Sequence, residues 1–149
     1  MKTDTRMSDG YSLVECLIVL VAAATITTFA VPNIHHLLQE WSLWGGKAVL
    51  ESSLQWGRLH AVSSNMPLIF NIYEGGLRFG WIEAESGEEF LNSVRDLPSG
   101  VKIVSSPRRP LRFYQHGNAA PAGTFVVAGP SGSYSVVVSP GGRIRTERN

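Results

Sequence analysis

Gly10-Tyr11-Ser12-Leu13-Val14-Glu15-Cys16, continued over residues 17–31 by LIVLVAAATITTFAV, is the stretch on which the fold turns. From Tyr11 to Val31 it is apolar except for Ser12, Glu15 and three threonines. As a helix rising ~1.5 Å per residue it spans roughly 30 Å, about one bilayer core. The leader ahead of it, Met1–Gly10, carries Lys2 and Arg6, and no further lysine or arginine occurs before Lys47. That bias places the amino terminus in the cytoplasm and the rest of the chain on the far side of the membrane. A cleaved secretory signal keeps its small residues behind the apolar core, whereas here a glycine precedes it and Pro32-Asn33 follow it, so the anchor is expected to stay.

Glu15 is out of place in this run. An ionised carboxylate in hydrocarbon costs on the order of 2.5–3.5 kcal/mol even on lenient insertion scales, and such a group normally has a partner. A cut between Gly10 and Tyr11 supplies one, because the new α-ammonium of Tyr11 then lies one helical turn from Glu15, on the same or a neighbouring chain.

Gly10-Tyr11-Ser12-Leu13-Val14-Glu15 with its unbroken apolar helix resembles the class III leader of type IV prepilins and type II secretion pseudopilins. The resemblance implies a prepilin peptidase that cuts after Gly10 and methylates Tyr11. It also implies that Glu15 neutralises the amino terminus of an adjacent subunit during assembly, and that Pro32 kinks the helix. Two residues depart from the usual pattern: Tyr11 stands where phenylalanine or methionine is commoner, and Cys16 where leucine is.

Beyond Pro32, Ile34, Leu37, Leu38, Trp41, Trp44, Ala48, Leu59 and Val62 recur mostly at three- and four-residue steps, the pattern of an amphipathic helix that continues the anchor to about Asn65. Such a rod would measure roughly 80 Å. Gly45-Gly46 interrupts it at about 1 kcal/mol per glycine, marking a place either to fray or to pack closely. Trp41, Trp44 and Trp56 are expected as core and subunit contacts. After Pro67 the period changes to two: Leu68–Tyr73, a Glu74-Gly75-Gly76 turn and Leu77–Trp81 predict a hairpin. Further strands are expected at Val101–Val104, Leu111–Gln115, Thr124–Ala128, Tyr134–Ser139 and Arg143–Thr146, with Glu83–Pro98 an exposed loop or irregular insert. The organisation is therefore a leader, 1–10, a transmembrane half-helix, 11–31, an amphipathic half-helix, 32–66, and an antiparallel β-rich domain, 67–149, in the α+β class.

The carboxy-terminal half narrows the resemblance. Leu111-Arg112-Phe113 through His116-Gly117, Gly123–Val127, Tyr134–Ser139 and Gly142-Arg143-Ile144-Arg145 resemble the GspH/FimT family of minor pseudopilins and minor pilins. That family implies a pilin-like fold and a low-abundance subunit near the tip of a type II secretion pseudopilus or a type IV pilus. The partners it implies are prepilin peptidase, other minor and major pilins or pseudopilins, the inner-membrane assembly platform, and membrane lipid before assembly. Some FimT-type subunits of natural-transformation pili carry a similar Gly-Arg-x-Arg tail, which makes DNA a candidate ligand of Arg143, Arg145 and Arg148. Arginines on a strand meet phosphates without reading bases, and they also serve as edge charges that block unwanted pairing.

Charge is unevenly spread behind a formal net +1: residues 74–96 carry −4, and from Val101 onward the chain carries +6. The positive tail favours either an anionic partner or pairing with the acidic stretch of its own or a neighbouring subunit. The one cysteine, Cys16, permits no internal disulfide. His35, His36, His60 and His116 lack partners at ligand spacing, so neither a metal nor a cofactor is expected. There is no nucleophile elbow, phosphate loop or carboxylate pair in a catalytic frame, and the chain does not read as an enzyme.

Overall fold

A computed structural model describes residues 12–149, apart from the side chains of 29–33 and 91. A helix, α1 (Leu13–Ser63), leads the chain, which divides into two compact units between His36 and Leu37. In the first unit the hydroxyls of Thr25, Thr27 and Thr28 donate to the carbonyls of Val21, Ala23 and Ala24, each at 2.8 Å. The threonine hydroxyls of the apolar run are thus satisfied within the helix. Among the described residues no helix is long and apolar enough to cross a membrane. Of the span expected over 11–31, Tyr11 and the side chains of 29–31 lie outside them.

In the second unit the helix meets two antiparallel sheets. Strands β1 (Leu68–Tyr73), β2 (Arg78–Glu83), β3 (Arg95–Asp96), β5 (Arg112–Phe113) and β6 (Ala119–Ala120) form one, in the order β3-β2-β1-β5-β6. Strands β4 (Lys102–Ser105), β7 (Gly123–Gly129), β8 (Gly132–Val138) and β9 (Ile144–Arg148) form the other, in the order β4-β7-β8-β9. The β1–β2 hairpin runs in register from Leu68↔Glu83 to Tyr73↔Arg78 around the Glu74–Gly76 turn that the glycine pair predicts. Leu43, Leu50, Leu54 and Ala61 of the helix, Leu68, Phe70, Phe79, Trp81 and Phe113 of the first sheet, and Phe125, Val127, Val136 and Val138 of the second bury one common core. Phe70 ties its parts together, with ring centroids 5.0 Å from Trp81 and 5.3 Å from Phe125.

Some expectations need correction. The stripe Ile34, Leu37, Leu38, Trp41, Trp44, Leu59 and Val62 is exposed, and of the core and subunit contacts expected of the three tryptophans the core part fails, with Trp41 at 69%, Trp44 at 62% and Trp56 at 42%. The seated face is instead Leu43, Gly46, Leu50, Leu54, Gly57 and Ala61, half a turn away on the helix. Of the two roles left open for Gly45-Gly46, the structure supports packing: the helix runs on through both, and a Cβ on Gly46 would lie 2.7 Å from Val101 Cγ1. Finally, residues 83–98 are only partly an exposed loop. Glu85–Glu89 are exposed, but Ile82 bridges Glu89, β3 pairs with β2, and buried Ser93 accepts the Trp81 N–H at 3.0 Å and donates to the Phe90 carbonyl at 2.7 Å. A serine hydroxyl stands in for ladder bonds there, which no two-residue period announces. Strand β6 likewise falls in the segment read as a turn-rich separator.

Candidate functional site

Two places carry the residues singled out from sequence. At the amino-terminal end, Gly10 and Tyr11 lie outside the described residues, and Pro32 falls within α1 with its side chain outside them. Glu15 stands in the first turn of α1, exposed, and among the described residues no cation comes within ion-pair distance of it. Cys16 is exposed on the same turn.

At the carboxy-terminal end β9 is an edge strand paired only with β8, in the register Tyr134↔Arg148, Val137↔Arg145 and Val138↔Ile144. Alternation along it separates the three arginines. Arg143 and Arg145 are exposed on the outer face with Glu147, while Ile144 packs against the core and Arg148 shares its side. Arg148 reaches the helix, where Nη2 pairs with Glu40 Oε1 at 3.2 Å, and its guanidinium lies 5.9 Å from the Tyr134 ring centroid. It is therefore not part of one patch with the other two. Among the described residues no carboxylate lies within ion-pair distance of Arg143 or Arg145.

A residue not singled out from sequence holds this end in place. Arg58 on α1 donates from Nε to the Gly117 carbonyl at 2.9 Å and from Nη2 to the Gly141 carbonyl at 3.3 Å, while the Ala119 N–H bonds the Pro140 carbonyl at 2.9 Å. Gly142 turns there at φ +75°, and a Cβ on it would strike the Gly117 carbonyl and Arg58. The glycine of the Gly-Arg-x-Arg tail is thus required by the clamp beneath it. Arg58 is one of several charged residues on α1, with Glu40, Lys47 and Glu51, and nothing in its spacing singles it out.

The acidic stretch is braced from within. Arg78 pairs with Asp96 at 2.6 Å and with Glu74 at 3.1 Å, and these carboxylates raise its pKa further above the ordinary arginine value. The Tyr73 hydroxyl donates to Glu89, and burial, followed by that bond, raises the phenol's pKa. Among the described residues no cluster of three His, Cys, Asp or Glu side chains is disposed to hold a metal ion.

The minor pseudopilin EpsH from the type 2 secretion system of Vibrio cholerae superposes with a TM-score of 0.55 at 15% identity, over 69% of this chain and 93% of that one. The type IV minor pilin FimU of Pseudomonas aeruginosa superposes with a TM-score of 0.60 at 19% identity, over 74% of this chain and 92% of that one. Both share the pilin-like architecture of an amino-terminal helix followed by antiparallel sheets. A search of curated proteins by sequence found no match. Residues 48–142 match the family described as type II transport protein GspH. With well over half of its length covered by that match, the chain belongs to the GspH family of minor pseudopilins and minor pilins.

Proposed function

We propose that this chain is a minor pseudopilin of a type II protein secretion system, built into the tip of a periplasmic pseudopilus and working by assembly, not by catalysis. The observation that carries the proposal is a helix apolar on two opposite faces. One face is seated in the core, and the other leaves Leu37, Leu38, Trp41, Trp44, Trp56, Leu59 and Val62 in the open. Exposed apolar side chains of this size mark interaction sites, here in two groups, Leu37 to Trp44 and Trp56 to Val62, with exposed Ser52 and Gln55 between them. In this reading residues 11–31 anchor the precursor in the inner membrane with its amino terminus cytoplasmic and its β-rich domain periplasmic. Prepilin peptidase removes residues 1–10 and methylates Tyr11. The assembly platform then moves the subunit from lipid into contact with other pseudopilins, where Glu15 meets a neighbour's ammonium. Deleting the gene in its host tests the function: exoprotein export is lost and is restored by the intact chain. Normal export with lost piliation or transformation would replace this reading with the type IV one.

Processing is tested separately. Intact-mass analysis of the membrane-extracted protein is expected to show loss of residues 1–10 and one methyl group on Tyr11. Met1 still attached in a peptidase-competent cell refutes it.

The second reading, a FimT- or FimU-like minor pilin that takes up DNA, is favoured by Arg143 and Arg145 standing exposed and side by side on the outer sheet face. Because Arg148 is turned away and paired with Glu40, two phosphate contacts are expected and not three. Log K then falls with log salt at a slope of about −2, so that going from about 50 to 200 mM salt weakens binding roughly tenfold, without sequence preference. The double change of Arg143 and Arg145 to alanine removes that dependence, and Arg148→Ala leaves it. Absence of measurable binding at about 50 mM salt excludes this reading.

A further inference from the structure

Each sheet ends in two edge strands, β3 and β6 in the first, β4 and β9 in the second. An edge carries unpaired backbone groups and invites another strand unless something guards it. Strands β3 and β6 have only two residues each. Strand β4 is broken by a shift in register between Ile103 and Ser105, and it packs on the Glu74–Gly76 turn, where a Cβ on Gly76 would strike the Ile103 carbonyl. Strand β9 has none of these guards: it runs for five residues and keeps one register with β8 throughout. At the two ends of that pairing the Ser139 N–H donates to the Arg143 carbonyl at 2.9 Å, and the Asn149 N–H to the Ser133 carbonyl at 3.1 Å. Bonded residues alternate along an antiparallel pair, so Arg143, Arg145, Glu147 and Asn149 turn their backbone groups to β8. Ile144, Thr146 and Arg148 therefore turn theirs to the open edge, where no backbone bond from a turn or loop reaches them among the described residues.

We propose that the open edge of β9 receives a strand from another protein, one that is acidic along the side running past Arg143 and Arg145. The edge and its charges belong to this chain alone, so the inference holds whichever filament the subunit joins. Side chains of an added strand fall into two rows, one on each face of the sheet. On the outer face they stand beside Arg143, Arg145 and Glu147, all exposed. Neither arginine has a carboxylate within ion-pair distance among the described residues, so an acid on the incoming strand finds both free, while a base directly opposite is repelled. Glu147 favours a base at the matching position. On the inner face the neighbours are Ile144 and Thr146, beside which a β-branched side chain fits. Laid antiparallel, from Arg148 back to Arg143, the sequence that satisfies each position is Val-Lys-Val-Glu-Val-Glu. The backbone bonds then supply affinity and the row of charge supplies the choice of partner, as in other cases of strand addition.

The test uses the full chain in a neutral detergent at about 50 mM salt, where charges are screened less than at physiological strength. The probe is a dye-labelled peptide of that sequence, and saturable binding with a Kd below about 1 mM is expected. Methyl groups on the valine nitrogens, which face β9, are expected to weaken binding roughly tenfold or more, and methyl groups on the lysine and glutamate nitrogens, which face away, to leave it unchanged. R143E/R145E is expected to lose roughly tenfold toward this peptide and to bind the version in which both glutamates are replaced by lysine. Both arginine side chains are exposed and form no ion pair among the described residues, so the fold does not depend on them. If the two methylated peptides bind alike, the arginines read charge alone, as they would on DNA, and strand addition is overturned. Absence of binding below about 1 mM overturns it as well. So does a chain that sediments as a dimer and excludes the peptide, because a second copy then holds the edge.

Discussion

Replacing Gly57 by alanine is expected to lower the unfolding midpoint of the intact chain by about 10 °C, although alanine is the better helix former. The substitution adds one methyl group and gains about 1 kcal/mol of helix propensity. That methyl group would fall on the six-membered ring of Trp81, onto Cζ2, Cε2 and Cη2. The ring has nowhere to go. It is fully buried, its Nε1–H bonds Ser53 Oγ on the helix at 3.1 Å, and Phe70 and Phe113 pack on it with centroids 5.0 and 5.7 Å away. Overpacking a core without slack costs typically 1–3 kcal/mol, occasionally more, and here the helix must lift from a sheet along its length. A cost of about 3–4 kcal/mol, at the top of that range or above it because the ring cannot move, less the propensity gain of about 1, leaves a net loss of about 2–3 kcal/mol, and each kcal/mol moves the midpoint of a unit this size by about 4–5 °C. Combining Gly57→Ala with Trp81→Phe, which removes the offending ring, is expected to be less damaging than the sum of the two single changes. Thermal scans of the four proteins in detergent decide it. An alanine variant as stable as the parent would mean that helix and sheet are not in register at Gly57.

Why Gly57 escaped the sequence shows where hydropathy ends. Both faces of the helix are apolar, so a three- and four-residue period is present whichever face is read, and nothing in it says which one is seated. The larger residues, Trp41, Trp44 and Leu59, drew attention to the open face. The core face includes two glycines that carry no hydropathy signal. Their separation was nonetheless informative: Gly46 and Gly57 are 11 residues apart, about three turns, which puts both on the side of Leu43, Leu50 and Leu54. The sheets were easier, because Leu68–Tyr73, Thr124–Ala128 and Tyr134–Ser139 alternate and end at glycine-rich turns. Their two-residue period also separates Arg148 from Arg143 and Arg145, a consequence of even and odd positions that net charge alone obscures. Strand β3 and the buried hydroxyl of Ser93 were not legible, because side-chain bonding to the backbone has no period.

The largest functional effect is expected at Glu15, whose replacement by valine is predicted to separate membrane insertion from assembly. Glu15 stands exposed in the first turn of α1, among Leu13, Val14, Leu17 and Ile18, which are exposed with it. In lipid the carboxylate is a penalty of up to a few kcal/mol, so Glu15→Val inserts as well as the parent chain or better. In a filament the balance reverses. In the assembly proposed above, a neighbouring subunit would bring the ammonium of its processed Tyr11 into an apolar helix bundle, and a charge left there without its partner costs about 3–5 kcal/mol. Since about 1.4 kcal/mol is a factor of ten, incorporation is expected to fall at least tenfold, and most steeply where every other subunit carries the carboxylate. Glu15→Asp keeps the charge on a shorter arm and is expected to retain part of the activity, whereas Glu15→Gln behaves like valine, which separates charge from shape. Comparing the variants in membrane and sheared-filament fractions of the same cells measures both steps at once. Equal amounts of Glu15→Val and parent protein in filaments would show that the ammonium finds another partner, and that Glu15 is retained for a step before assembly.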